Sequence, residues 1–223
     1  MRDEVWADAV ADATAPATIL SSHHHFDGHV WSVRSDIVEI HDSTVERDVL
    51  IHPGAVVVIA VDDRDRVLLI RQYRHPIAMM VFEPPAGLLD VHGEPAHMTA
   101  ARELAEEAGY CAESWSVLVD FFNSPGGSSE AIRVYLARNL SELPGGRVLT
   151  GEAEEAYLPR AWIDLDEAVD LVLSGALGSP SAVVGVLAAK AARERGWDSL
   201  RESEAPWLVR DHLVNEGRVH FGV

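Results

Sequence analysis

The chain has 223 residues, 48% apolar and 24% charged. That is enough to bury a core without staples, and its single cysteine, Cys111, excludes an internal disulfide framework and fits a reducing, cytoplasmic setting. Eighteen Lys and Arg against 36 Asp and Glu give a net charge of −18, which argues against a nucleic-acid partner. No apolar run reaches the ~18 residues of a bilayer span, so no membrane partner is expected, and the acidic first twenty residues lack the basic start of a secretion signal.

Residues 1 to about 27 read as an acidic, Ala-rich arm with Pro16 and the triplet His23-His24-His25. Adjacent side chains diverge, so the triplet reads as a solvated loop rather than a metal site. From His29 the period becomes that of a strand, with Val30, Trp31, Val33, Ile37, Val38 and Ile40 among polar residues. A second strand is predicted near Val45–Ile51, ending at Pro53-Gly54. Two apolar runs, 55–61 and 67–73, flank the polar DDRDR and predict a β-hairpin. A short strand over Met80–Glu83 leads into PPAG. Helical spacing follows over 96–108, with Met98, Ala101, Leu104, Ala105 and Ala108 on one side and Gly109 as a stop. Strands are predicted over 115–122 and 131–138 around the loop NSPGGSSE, and near 157–163 after the acidic GEAEEA. Helices are predicted over 165–174 and 180–195, and the tail beyond Gly196 reads as polar and irregular, with Trp197 and Trp207 as anchors. The mixture points to an α+β fold, an α/β/α sandwich.

The most informative stretch is GLLDVHGEPAHMTAARELAEEAGY, residues 87–110. Glu103, Glu106 and Glu107 stand at i, i+3 and i+4 and share one helical face. Three carboxylates that close repel one another unless a cation lies between them. An oxygen-only set favours Mg²⁺ or Mn²⁺ over zinc or copper. Arg102 and Glu94 are natural orienting partners. Gly87 permits a sharp backbone turn that frees the Ala86 carbonyl as a further ligand. The same spacing also describes a solvated acidic helix face.

Gly87, Glu94, Arg102, Glu103, Leu104, Glu106, Glu107, Gly109 and Tyr110 together resemble the Nudix box. The six residues between Gly87 and Glu94 are one more than the family spacing, an insertion placed near Gly93 before the helix begins. HPGAVVVIAVDD, VLLIRQYRHP, EPPAGLLD and FNSPGGSSE extend the likeness to the ADP-ribose pyrophosphatase branch of that family. The resemblance implies a Nudix-type sandwich with a mixed sheet, preceded by an N-terminal β arm. Residues 1–50 would form the arm and β segment, a dimerisation element; 51–196 the hydrolase domain; and 197–223 a tail.

The resemblance further implies hydrolysis of ADP-ribose to AMP and ribose 5-phosphate with Mg²⁺ or Mn²⁺, by a homodimer whose N-terminal strands help bind a nucleotide-sugar substrate. Glu103, Glu107 and the Ala86 carbonyl are then the metal ligands, with Glu106 a further ligand and catalytic group. The base is expected in GEAEEA, at Glu154 with Glu152 and Glu155 beside it. Arg74 is expected on the substrate phosphate through its forked donors; Arg71, on the opposite strand face, binds substrate or braces the fold. Leu88 and Gly126 are expected against the substrate and Glu130 on ribose hydroxyls, although NSPGGSSE also suits an ordinary Pro-Gly turn. Trp31 is either an adenine-stacking residue or a buried strand tryptophan. Other substrates for the same chemistry are NADH, another nucleoside diphosphate sugar or a dinucleoside polyphosphate. A non-catalytic ADP-ribose sensor is disfavoured because no glutamate of the box is missing.

Overall fold

The computed structural model describes residues 9–147 and 158–221. The chain begins with an antiparallel meander of β1 (Thr18–Asp27), β2 (Ser32–Ile40) and β3 (Ser43–Ile51). Here the structure departs from the expected loop, since the histidine triplet lies within β1. β1 is exposed along its whole length, so neither face carries an apolar alternation for a period reading to detect. It is held by its ladder to β2 and by side chains. Ser22 Oγ donates to Asp36 Oδ1 at 2.6 Å, and Ser35 Oγ lies 2.6 Å from His25 Nε2.

The main body contains two sheets. In the larger, β4 (Ala55–Ala60) runs parallel to β9 (Ala131–Glu142) and antiparallel to the short edge strand β7 (Ala86–Leu88). β8 (Tyr110–Phe122) and β11 (Arg201–Glu202) complete the order β11-β8-β9-β4-β7. In the smaller, β5 (Arg66–Arg74) lies between β10 (Arg160–Asp164) and β6 (Met79–Glu83).

The expected hairpin of 55–61 and 67–73 is therefore not a paired hairpin. β4 and β5 meet at one bridge, Val61 to Val67, and then diverge into different sheets. Both runs are apolar on both sides, so each is a central strand requiring two neighbours. β9 and β7 satisfy β4, and β10 and β6 satisfy β5. The turn between them is local. Asp62 Oδ1 accepts from the backbone N–H of Arg64 and of Arg66, both at 2.9 Å.

Alternation along β4 feeds two cores. Val57, Ile59 and Val61 pack with Leu165 and Ala168 of α2 (Leu165–Leu173) and with Val186 and Ala189 of α3 (Pro180–Arg193). Val56, Val58 and Ala60 pack on the other face with Ala100 of α1 (Ala96–Glu103) and with Leu104, Ala108, Tyr135 and Trp207. Each fully buried aliphatic side chain contributes about 1.5–3 kcal/mol. These layers make the α/β/α sandwich. α1 passes directly into a π turn over Leu104–Ala108 and ends at Gly109, whose φ of 73° suits a residue without Cβ.

The tail is more ordered than its polarity implies. It contains α4 (Leu208–Asn215) besides β11, and Trp207 is buried, as an anchor. The Arg133 guanidinium grips Asp120 through Nε and Nη2 at 2.8 and 3.0 Å, and donates to the carbonyls of Ala205 at 2.7 Å and Pro206 at 3.2 Å. Trp207 stacks under the same cation at 4.6 Å.

Candidate functional site

The site is built where α1 crosses the edge strand β7. Pairing parity decides what β7 offers. Val58 N–H donates to Pro85 O and Leu89 N–H to Gly54 O. The intervening residue Ala86 therefore turns both of its backbone groups away from β4. Its N–H donates to Glu107 Oε2 at 2.9 Å, and its carbonyl faces the same open edge. A Cβ at Gly87 would displace the Glu103 side chain from where it lies. The absence of a side chain at residue 87 leaves room for the Glu103 carboxylate against the strand.

The helix face carries a charge cluster centred on Arg102. Nη1 donates to Glu103 Oε1 at 2.7 Å and to Glu106 Oε2 at 3.0 Å, while Nη2 reaches Glu94 Oε2 at 3.3 Å. Thr99 Oγ1 also donates to Glu94 Oε2, at 2.8 Å. The hydrogen bond from Arg102, against the opposing effect of burial, holds the Glu94 carboxyl below the usual carboxylate range. Burial disfavours the Arg102 cation, but the bonds to Glu94 and Glu106 and the charge of Glu103 outweigh it and raise its pKa. The inserted residue before Glu94 leaves this contact intact. Glu103 and Glu107 are buried and Glu106 is half-buried. The π turn begins just after Glu103, so it alters the rotation between Glu103 and the Glu106-Glu107 pair relative to regular α spacing.

Among the described residues, no three His, Cys, Asp or Glu side chains are grouped ready to hold a metal ion. The donor chemistry nevertheless fits a hard dication. Two buried carboxylates and one outward-turned carbonyl are all oxygens, and the cradle that a Cβ at Gly87 would fill brings one of those carboxylates against the strand.

Beside this edge lies a cavity of about 420 Å³ whose walls include His52, Arg74, Glu83, Ala86, Leu88 and Glu130. Arg74, Ala86, Leu88 and Glu130 thereby line one cavity. Arg74 is held in place: its Nε donates to Glu83 Oε2 at 2.7 Å, and Glu83 Oε1 accepts from Ser179 Oγ at 2.7 Å. Arg71 is not in this wall; it lies over the Phe82 ring, 5.7 Å from the centroid. Gly126 lines a different cavity, of about 450 Å³, with Asp36, Arg47 and Phe122. Trp31 is 37% exposed and tilted against Phe26 at 6.0 Å; its neighbour Val30 reaches the first cavity. Glu152, Glu154 and Glu155 lie outside the described residues.

Sequence reasoning assigned no role to His52, Glu83 or Ser179. Their sequence signals were those of a turn, a strand end and the residue before a helix-starting proline. Only the meeting of the end of β3, β6 and the start of α3 joins them.

Known proteins resemble this chain in sequence and fold. A family profile described as the NUDIX domain matches residues 51–181. An ADP-ribose pyrophosphatase of Mycobacterium tuberculosis is 41% identical over 192 residues, covering 86% of this chain and 91% of that protein. A methanol dehydrogenase activator of Bacillus methanolicus is 35% identical over 162 residues, or 72% of this chain and 85% of that one. A crystal structure of an ADP compounds hydrolase superposes with a TM-score of 0.65 at 22% identity, over 94% of this chain and 100% of that one. The last likeness is one of fold.

Proposed function

The chain belongs to the NUDIX family, and from that premise we propose that it hydrolyses the pyrophosphate bond of ADP-ribose to AMP and ribose 5-phosphate. The observation that carries this reading is the adjacency of an anchored guanidinium, Arg74, to the β7 edge where Ala86 meets the buried Glu107. The 41% identity to the mycobacterial pyrophosphatase supports the choice of substrate.

Glu103, Glu107 and the Ala86 carbonyl, with Glu106, would hold Mg²⁺ or Mn²⁺. Such an ion, when bound, neutralises phosphate oxygens and acidifies bound water. The protein's own contribution is orientation. Arg74 meets the diphosphate with two parallel donors, and Glu83 and Ser179 fix the direction in which it points. Leu88 and Glu130 shape the wall on which the sugar rests. The proton of the attacking water goes to a carboxylate of the GEAEEA sequence, with Glu154 first and Glu152 and Glu155 as neighbours able to replace it.

The protein is also proposed to act as a homodimer in the cytoplasm. Exposure of Leu20 and Phe26 at 52% and 55% on β1 gives a second copy apolar surface to cover. Among the described residues, no helix is long and apolar enough to cross a membrane.

Incubation with ADP-ribose and Mg²⁺, followed by a phosphatase and a phosphate assay, tests the reading. Release of AMP and ribose 5-phosphate is expected. Binding of ADP-ribose without turnover would favour a sensor, and preference for NADH, another nucleotide sugar or a dinucleoside polyphosphate in a parallel panel would reassign the substrate.

A further inference from the structure

The cavity holds a histidine that the proposed reaction does not use. His52 follows β3 and is 9% exposed. Its backbone N–H donates to Ser129 Oγ, and its Nδ1 accepts from the Gly54 N–H, both at 3.0 Å. A ring nitrogen that accepts carries no proton, so the hydrogen of the neutral ring sits on Nε2. Burial favours that neutral ring. Nε2 faces Glu130 Oε1 at 3.8 Å, beyond hydrogen-bond reach. The other oxygen, Glu130 Oε2, accepts from Asn123 Nδ2 at 2.7 Å. The cavity wall therefore presents a donor and an acceptor side by side, and among the described residues neither satisfies the other.

We infer that His52 and Glu130 together grip one ribose hydroxyl of a nucleoside diphosphate sugar. The hydroxyl oxygen accepts from Nε2–H, and its own hydrogen goes to Glu130 Oε1. An oxygen about 2.8 Å from each atom fits over a 3.8 Å gap. A phosphate oxygen does not suit the pair, because it has no hydrogen to give and the Glu130 charge repels it. A hydroxyl both accepts and donates at one atom. His52 is then a specificity-determining residue, and its proton stays on the ring throughout. The inference rests on the hydrolysis proposed above.

The test compares kcat/KM for ADP-ribose with a set of analogues, each lacking one ribose hydroxyl. One deletion is expected to cost roughly 10- to 100-fold, because it leaves a buried donor and a half-buried acceptor unpaired, and the others little. His52→Asn keeps an acceptor near the Nδ1 position for Gly54 but removes the Nε2 donor. It is expected to lose a similar factor on ADP-ribose, mainly in KM, and to lose nothing further on the analogue already lacking the gripped hydroxyl. Equal losses on every analogue would assign His52 a purely structural role and overturn the inference. A flat series for the wild-type enzyme overturns it without any variant, even if His52→Asn does not fold. Sensitivity to replacing adenine by hypoxanthine, with none to hydroxyl deletion, would move the pair to the base and also overturn it. No turnover of ADP-ribose by the wild type would instead defeat the functional reading, and the inference with it.

Discussion

Two arginines in this molecule grip carboxylates, and the balance around them is opposite. Arg133 is 3% exposed and faces one carboxylate, Asp120, which also accepts from Arg201 at 2.8 Å. Its remaining donors go to backbone carbonyls of the tail. Arg102 is 35% exposed and faces Glu94, Glu103 and Glu106, with Glu107 close by on the same helix. The first cluster has more cation than anion, is closed and ties the tail to β9. The second has several anions to one cation and stands open beside a cavity. A surplus of buried negative charge is costly unless a cation is supplied from outside. The contrast separates a structural ion pair from a site.

The contrast is broken most strongly at Glu107. Glu107→Gln should reduce kcat on ADP-ribose by about 10²-fold or more, the scale of removing one electrostatic stabiliser. Circular dichroism should show the fold retained, because a like-charge repulsion disappears with the carboxylate. Undiminished turnover in this variant would sink the metal assignment. At the closed cluster the reverse is expected. Arg133→Ala removes the donor to the Ala205 and Pro206 carbonyls while Asp120 keeps Arg201, and should lower unfolding stability by about 1–3 kcal/mol, read from urea midpoints. Turnover per folded molecule should be unaffected.

A third experiment sharpens the comparison. Arg102→Met removes the internal cation of the open cluster, so Mg²⁺ should raise the melting temperature of the variant more than that of the wild type. Equal shifts would mean that Arg102 and the dication do not share the same carboxylates.

The smallest effects concern pH. The Glu94 carboxyl is depressed mainly by Arg102. Its stabilisation is present above the unfolded-state carboxylate pKa of about 4.3 and is lost as pH falls through the lower folded value. Glu94→Gln should flatten that part of the acid limb. The His52 pKa is lowered by burial, with Glu130 opposing and His220 assisting. The unfolded chain therefore takes up this proton first, and stability falls as pH drops through about 6.5. The urea midpoint of His52→Asn should vary less than that of the wild type between pH 8 and pH 5.

The acidic helix, its stop at Gly109 and most strands were legible because each depends on neighbours within a turn or on the period of one segment, whereas Gly87 lies inside β7 rather than at the sharp turn expected of it, and its close neighbour is Glu103 on another element. The six-residue spacer before Glu94 was legible too, and Glu94 still reaches Arg102 beyond it. Partner choice was not legible. Whether β4 pairs with β5 or with β9 and β7 depends on partners 29 to 77 residues away, and local alternation is the same in either case. β1 carried no burial signal at all, and the tail is held by contacts distant in sequence: Trp207 in the core beside Val56 and Val58 and under Arg133, and Arg210 of α4 on the Pro53 and Leu89 carbonyls. Local chemistry, through the spacing of Glu103, Glu106 and Glu107 and the absence of a Cβ at 87, determined what kind of site this chain could carry. The meeting of β3, β5, β6, β7 and the start of α3 decided which residues form its wall. Arg74, Glu83, His52 and Ser179 become neighbours only when the sheets are assembled, because no periodicity along one strand encodes the identity of a partner on another.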